Sequence, residues 1–153
     1  MPNYCYNTIK ITSFKKNFID NFIKKHIKVN EEGDEFFDFN TIIAEPKTKE
    51  KCAKKYICDP KEEHIEAFVG REWFNWYKWR YDKWNTKWNS FDLEIERTSD
   101  SHLIIRFNTA WNEPSPIFQA LVNRYFYEAR LLFEYQYEGE DEVYKVRGLP
   151  SGF

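Results

Sequence analysis

The sequence is poor in the residues that most cofactor and metal motifs need. Its 153 residues include five glycines and three histidines. The glycines, at 33, 70, 139, 148 and 152, form neither a phosphate-binding loop nor a dinucleotide fingerprint. His26, His64 and His102 lack the short spacings of histidine metal motifs. No nucleophile and base stand in a recognisable pattern, so we expect no catalytic residue, no cofactor and no metal, and a protein that is not an enzyme.

Long apolar runs and paired cysteines are also lacking. No stretch of about 18 apolar residues occurs, and the start "MPNYCYNTIK" lacks the apolar region of a signal peptide. These features predict a cytoplasmic protein with no membrane contact. Cys5, Cys52 and Cys58 cannot all pair within one chain, and reduced, buried thiols are expected. The spacing Cys52-x5-Cys58-x5-His64 lacks the short C-x2-C knuckle of zinc sites.

Aromatic residues, by contrast, make up 20% of the chain, and five of the six tryptophans fall within residues 73–88. They predict one domain with a core of Phe, Tyr and Trp rings. On a helix, Trp73, Tyr77, Arg80 and Trp84 would form the inward stripe. Trp79 falls outside that stripe, so it is the candidate aromatic anchor for a partner, with Phe74 and Lys78 as neighbours.

Alternation and helical periodicity predict the elements. Residues 4–12 alternate as a strand with Cys5, Asn7, Ile9 and Ile11 on one side, and Ser13 is the expected cap of a helix over 14–28. A second helix is expected to begin after Pro60 and to run into the tryptophan stretch. Segments 91–97 and 102–111 predict a hairpin, 114–127 a helix, and 129–139 and 142–148 two further strands. The fold class is α+β, an antiparallel sheet with helices on one face.

The segment 47–57 is rich in lysine and lies between Pro46 and Pro60. It predicts an insertion with a helical, solvated face. The alternative is a nucleic-acid contact over 47–61, with aromatic stacking nearby. The candidate contact residues are Lys47, Lys49, Lys51, Lys54 and Lys55.

The alternation also assigns side chains to the two faces of the sheet. Phe91, Leu93 and Ile95 are expected to point inward, which leaves the neighbouring acids outward. The outward acidic set is Asp92, Glu94, Glu96, Glu134 and Glu138. With only Arg106 and Arg130 to offset it, an acidic outer face without aromatic rings is predicted. Such a face suits a basic protein surface better than nucleic acid; alternatively its carboxylates only solvate the sheet.

Several fragments, taken in order, carry a family resemblance. They are "MPNYCYNTIKIT", "DFNTIIAEP", "WYKWRYDKWNTKWN", "FNTAWNEPSPIFQAL" and "FEYQYEGEDEVYKVRG". The sequence resembles the Api92-like proteins, which are small proteins of plasmids, phages and other mobile elements. It departs from their pattern at Tyr4, where Trp is expected, at Asn85, where Gly is expected, and in segment 47–57. The resemblance implies a ferredoxin-like sandwich in a single domain 1–153, with residues 44–90 as a helical insertion before the C-terminal ferredoxin-like part. It offers no catalytic residues to carry over.

The acidic face and the resemblance together suggest a function. We expect a non-enzymatic binding protein of mobile elements, in the manner of an anti-CRISPR type inhibitor that occupies a basic surface of a host defence nucleoprotein complex. The expected partner is a protein, with direct nucleic-acid binding through the lysine segment as the alternative. Association through the edge strand "EVYKVRG" is a third possibility, and the oligomeric state is open.

Overall fold

The structure is a computed structural model that describes residues 3–58 and 74–151. These residues form seven strands and three α-helices, numbered in chain order. They are β1 Tyr4–Ser13, α1 Phe18–His26, β2 Ile27–Val29, β3 Glu35–Phe37, α2 Trp76–Trp84, β4 Phe91–Arg97, β5 His102–Ala110, α3 Ser115–Tyr125, β6 Ala129–Tyr137 and β7 Tyr144–Arg147. The hairpin, the helix and the two last strands predicted for the second half of the chain are therefore confirmed. No helix within the described residues is both long and apolar enough to cross a membrane.

Strand β1 lies at the centre of a five-stranded antiparallel sheet of order β4-β5-β1-β6-β7. A ferredoxin-like fold repeats the unit strand, helix, strand twice. Apart from β2, β3 and α2, which lie between α1 and β4, the chain has this order in β1, α1, β4, β5, α3 and β6, and β7 extends the sheet at one edge. The α+β ferredoxin-like class is confirmed. Because β1 pairs with both β5 and β6, the N-terminal part of the chain supplies the middle of the sheet that the C-terminal part builds.

The alternation predicted for β1 is also observed. Cys5, Asn7, Ile9 and Ile11 are buried, and the helices pack against this inner face. Phe118 of α3, for example, stacks on Phe133 of β6 with ring centroids 4.9 Å apart. The inward residues predicted for α3 are all buried: Ile117, Phe118, Leu121, Val122 and Tyr125.

The start of α1 differs from the prediction. Ser13 is the last residue of β1, and its backbone N–H donates to the carbonyl of Ser101. Asn17 precedes the helix with a left-handed backbone (φ 64°), and Phe14 is exposed outside it. The backbone of Ser13 thus pairs in the sheet, although the apolar stripe alone would make this residue the cap of the helix.

The helix predicted within 47–57 is not formed. Two short 3-10 turns, Lys49–Lys51 and Lys54–Tyr56, occupy this segment. Lys47, Lys51 and Lys55 would repel one another at i, i+4 spacing on an α-helix, which disfavours it. The expected helix start after Pro60 lies outside the described residues, and so does Trp73.

Helix α2 begins after Asn75, whose side chain accepts a hydrogen bond from the Lys78 backbone, and ends at Asn85 with φ 65°. Glycine adopts this left-handed backbone most easily, and Asn is the next best residue, so Asn85 serves where the family pattern has Gly. Inside, Arg80 pairs with Glu45 at 3.0 Å and lies 5.1 Å from the rings of both Trp76 and Trp84.

His26 joins α1 to two other parts of the core. It is fully buried, with Nδ1 2.7 Å from Thr41 Oγ1 and Nε2 2.6 Å from the Tyr125 hydroxyl. The Thr41 hydroxyl donates its only hydrogen to the Asp38 carbonyl, so His26 Nδ1 must donate to Thr41 and Nε2 must accept from Tyr125. Burial, followed by the charges of Arg124, Lys25 and Lys28, lowers the pKa of His26 to about 3.

This neutral histidine predicts acid sensitivity. In the unfolded chain His26 has its ordinary pKa of 6.5 and is protonated below that pH. In the folded chain it stays neutral down to about pH 3. The free energy of unfolding should therefore fall as pH drops, by up to about 1.4 kcal/mol per pH unit for one proton. Urea unfolding between pH 6.5 and about 5, above the range where carboxylates titrate, measures this slope.

The His26→Gln variant removes the titrating group and should flatten the slope, whatever its absolute stability. The matched control is His102→Gln, which removes an exposed histidine and should keep the wild-type slope. An unchanged slope in His26→Gln would show that another group causes the acid sensitivity.

Candidate partner-binding surface

The face of the sheet that points away from the helices is called the outer face. Tyr6, Thr8 and Lys10 of β1 point to it, because their neighbours in the strand point into the core. In the described part of the chain the helices pack on the inner face, and outer-face side chains remain accessible. Arg106 and Glu96, for instance, keep 44% and 51% of their side-chain surface exposed.

Four of the five predicted acidic residues follow this outer alternation and Asp92 lies in the register shift of β4, but most of the five are engaged in contacts. Glu96 accepts two hydrogen bonds from the Arg106 guanidinium, at 3.1 and 3.2 Å. Glu134 pairs with Lys10 at 3.1 Å. Exposed pairs of this kind stabilise a fold by about 0 to 1 kcal/mol, so their main effect is on the charge pattern of the surface.

The remaining predicted acids lie at the rim of the outer face. Asp92 accepts from the Asn108 side chain at 3.2 Å. Glu138, just past β6, accepts from the Tyr4 backbone N–H at 2.7 Å. Glu94 is exposed and lies beside Arg106 in the ladder between β4 and β5.

The prediction of a mainly acidic outer face is wrong, because basic side chains of other strands balance the acids and the two edge strands carry opposite charges. Strand β4 carries an acidic strip, defined by Asp92, Glu94 and Glu96, all exposed. Strands β6 and β7 carry a basic strip, defined by Arg130, Lys145 and Arg147, also exposed. The alternation in "YKVR" could have located Lys145 and Arg147. Only the strand order places them across the sheet from the acids.

Three apolar side chains lie among polar ones on the central strands between the strips, and they are called the central apolar residues: Tyr6, Ile104 and Leu132. Ile104 and Leu132 flank Lys10, and Tyr6 lies two rows away along β1, beyond Thr8. Tyr6 is 42% exposed, and the other two are partly exposed. An antiparallel sheet that faces water normally carries polar residues on that side. Apolar side chains at the middle of an uncovered face are typical of a contact surface.

Phe91 was expected to point inward but lies on the outer face. The β4 ladder shifts register between Phe91 and Glu94, and Asp92 has φ 53°, so a bulge reverses the alternation at the start of the strand. Phe91 contacts the rings of Tyr4 and Trp88, at 5.1 and 6.3 Å between centroids. The outer face therefore does carry aromatic rings: the alternation of β1 already implies Tyr4 and Tyr6, whereas only the bulge places Phe91 there.

Trp79 is not a partner anchor, and that prediction is wrong. It is 5% exposed and packs edge-on against Trp84 at 5.4 Å and against the buried Phe74 at 6.2 Å. Tyr77, predicted to point inward, is 51% exposed. The predicted stripe took Trp73 as a helical residue, but α2 begins only at Trp76, and Tyr tolerates exposure because its hydroxyl can bind water.

The lysine segment offers charge without an exposed ring of its own. Lys47, Lys51, Lys54 and Lys55 are exposed, and the side chain of Lys49 lies outside what the structure describes. Tyr56, the ring within the segment, is 2% exposed and donates its hydroxyl to Asp82 at 2.8 Å. A base could not stack on that ring without displacing the core.

The potentially reactive side chains of the described residues are buried or dispersed. No group of three His, Cys, Asp or Glu side chains within residues 3–58 and 74–151 could hold a metal ion. The three cysteines are buried and form no disulfide with one another, as expected. Burial raises the pKa of the Cys5 thiol to about 12, so that thiol is not an activated nucleophile. Exposed His102 contacts the hydroxyls of Ser99 and Ser101 in the β4–β5 turn.

Comparison with known proteins identifies one part of the chain. Residues 83–148 match the family model described as the ferredoxin-like domain in Api92-like protein. The match covers β4 to β7 and α3, and therefore both charged strips. No curated protein and no solved structure matches the chain.

The burial of Trp79 predicts a large loss of stability on truncation. Trp79→Ala should lower the free energy of unfolding by about 3 to 5 kcal/mol, because it leaves a cavity among packed rings. The matched control, Tyr77→Ala on the exposed side of the same helix, should cost less than about 1 kcal/mol. Chemical denaturation of both variants measures the difference, and a Trp79→Ala protein of wild-type stability would contradict the core position.

Proposed function

We propose, for a chain that carries the ferredoxin-like domain of the Api92-like proteins at residues 83–148, a non-enzymatic function in binding a protein partner through the outer face. The observation that carries this proposal is a sheet face that the described helices leave accessible, on which the central apolar residues Tyr6, Ile104 and Leu132 are interspersed with polar side chains between two edge strands of opposite charge. Apolar area supplies affinity on desolvation, and charged rims select the partner and its orientation.

The pattern of the outer face specifies what the partner must present. A surface with basic residues opposite β4, apolar residues at its centre and acidic residues opposite β6 and β7 is complementary to it. A uniformly basic surface would be attracted by the acidic strip and repelled by the basic strip. The partner surface we propose is therefore of mixed charge.

An inhibitor of a host defence nucleoprotein complex, of the anti-CRISPR type, is one form of this proposal. Asp92, Glu94 and Glu96 would then contact basic residues of the complex. The support is the exposure of this acidic strip at the β4 edge of the sheet. The mobile-element setting that the family resemblance implies is consistent with such a role.

Reversal of the acidic strip tests the proposal. Glu94→Lys/Glu96→Lys should abolish recovery of the partner when the full-length, tagged protein is used for pull-down from its natural host and mass spectrometry. Glu31→Lys/Glu50→Lys is the matched control, because it makes the same change in net charge at exposed sites off the outer face. That control should recover the partner as the wild type does.

Equal recovery by the wild type and the strip variant would refute a role for the acidic strip. The nucleic-acid alternative gives a different result: tight binding of single-stranded RNA or DNA in a filter assay, lost at high salt because Lys–phosphate contacts release counterions. We expect no such salt-sensitive binding, since the described lysine segment presents no exposed ring.

A further inference from the structure

We propose that the outer face binds a second copy of this chain, with the two sheets packed face to face around a two-fold axis parallel to β1. This inference rests on the proposed function and names the partner of the same surface. It follows from the order in which side chains cross the sheet, which the strand registers define. The occupant is argued from the charge complementarity of the outer face with itself.

The clearest evidence is one row of residues that lie side by side across all five strands. From β4 to β7 this row is Glu94, Arg106, Thr8, Glu134 and Lys145. Its charges run negative, positive, neutral, negative, positive. Read in the opposite direction, the same row has the opposite sign at every charged position.

A two-fold axis along β1 produces that reversal. Rotation about an axis that runs parallel to β1, midway between the two sheets, places β4 of one copy opposite β7 of the other, and β5 opposite β6. Glu94 then faces Lys145, and Arg106 faces Glu134, and each contact occurs twice because the interface is isologous. Thr8 faces its own copy on the axis and carries no charge.

The next row supports the same arrangement. It consists of Glu96, Ile104, Lys10, Leu132 and Arg147. Rotation places Glu96 opposite Arg147 and Ile104 opposite Leu132, so that charge meets opposite charge and apolar meets apolar. Lys10 meets its own copy at the axis, where its ion pair with Glu134 of the same chain reduces the repulsion.

The third row is uncharged and contains amides and rings. It runs from Phe91 through Asn108 and Tyr6 to Gln136. Rotation places Asn108 opposite Gln136, two side chains that can each donate and accept hydrogen bonds. Tyr6 meets Tyr6, and its exposed ring would be covered.

The geometry of packed sheets permits these contacts. Face-to-face sheets lie about 10 Å apart with their strands crossing at about −30°, which shifts facing residues along the edge strands by about one row. Because each strip carries a single sign of charge over more than one row, the acidic strip of one copy still faces the basic strip of the other.

Five strands about 4.8 Å apart and three rows give on the order of 500 Å² per copy, near the lower limit for a specific interface. A dimer that forms in the micromolar range is expected.

Two charge-reversal variants of the full chain test the dimer. The first, Glu94→Lys/Glu96→Lys, makes both strips basic, and the second, Lys145→Glu/Arg147→Glu, makes both acidic. Sedimentation equilibrium should show a concentration-dependent dimer for the wild type and, for each variant alone, at least a tenfold weaker association. An equimolar mixture of the two should form a one-to-one heterodimer, because both strip contacts are then restored.

Circular dichroism of each variant checks that it is folded, and Glu31→Lys/Glu50→Lys should dimerise as the wild type does. A wild type that stays monomeric at all concentrations overturns the inference, and so does a mixture that stays monomeric. A dimer that persists unchanged in both variants also overturns it and indicates pairing through the β7 edge instead. These outcomes are separate from the proposed function: a monomeric wild type whose host partner depends on Glu94 and Glu96 would refute the dimer alone.

Discussion

The pairing of β1 with both β5 and β6 is the constraint on which the rest of the structure depends. An antiparallel strand with a neighbour on each side has its register fixed twice, and a slip by one residue would turn Ile9 and Ile11 out of the core. The same register brings Thr8 level with Arg106 on one side and with Glu134 on the other. Core packing and the pattern of the outer face are therefore set by a single strand near the N-terminus.

The two faces of the sheet have different roles: the inner face packs the core, and the outer face presents a pattern of charged and apolar side chains. On the inner face, aromatic rings pack edge to face against one another, and a neutral His26 closes the hydrogen-bond network between α1 and α3. On the outer face the two edge strands carry opposite charges, acidic at β4 and basic at β7, and the strands between them carry both signs. A face that served only for solvation would carry polar side chains throughout, whereas Tyr6, Ile104 and Leu132 place apolar side chains on the central strands of this one. A dimer through this face would have to open before the acidic strip could contact another protein, so self-association would regulate any other binding.

Prediction from the sequence succeeded where local pattern and burial agree. The strands of the second half, the inward face of α3 and the buried side of β1 follow from periodicity, because one wrong phase would expose many apolar residues at once. It failed where a single backbone feature changes the phase. The bulge at Asp92 turns Phe91 outward, and α2 begins only at Trp76, so a stripe counted from Trp73 missed the buried side that includes Trp79. The helix predicted for the lysine segment is absent for a different reason. Like charges at helical spacing disfavour the helix that the length of the segment suggests.

The sequence by itself determined the α+β class, the elements of the ferredoxin-like half and the alternation that separates core from surface, since these depend on interactions between residues close in the chain. Only the tertiary structure decided what the surface presents. Alternation places Glu94 and Lys145 outward, but it does not say that their strands lie at opposite edges of one sheet. Strand order depends on contacts between residues far apart in the chain, and through β1 those contacts place strands of opposite charge at the two edges of one face.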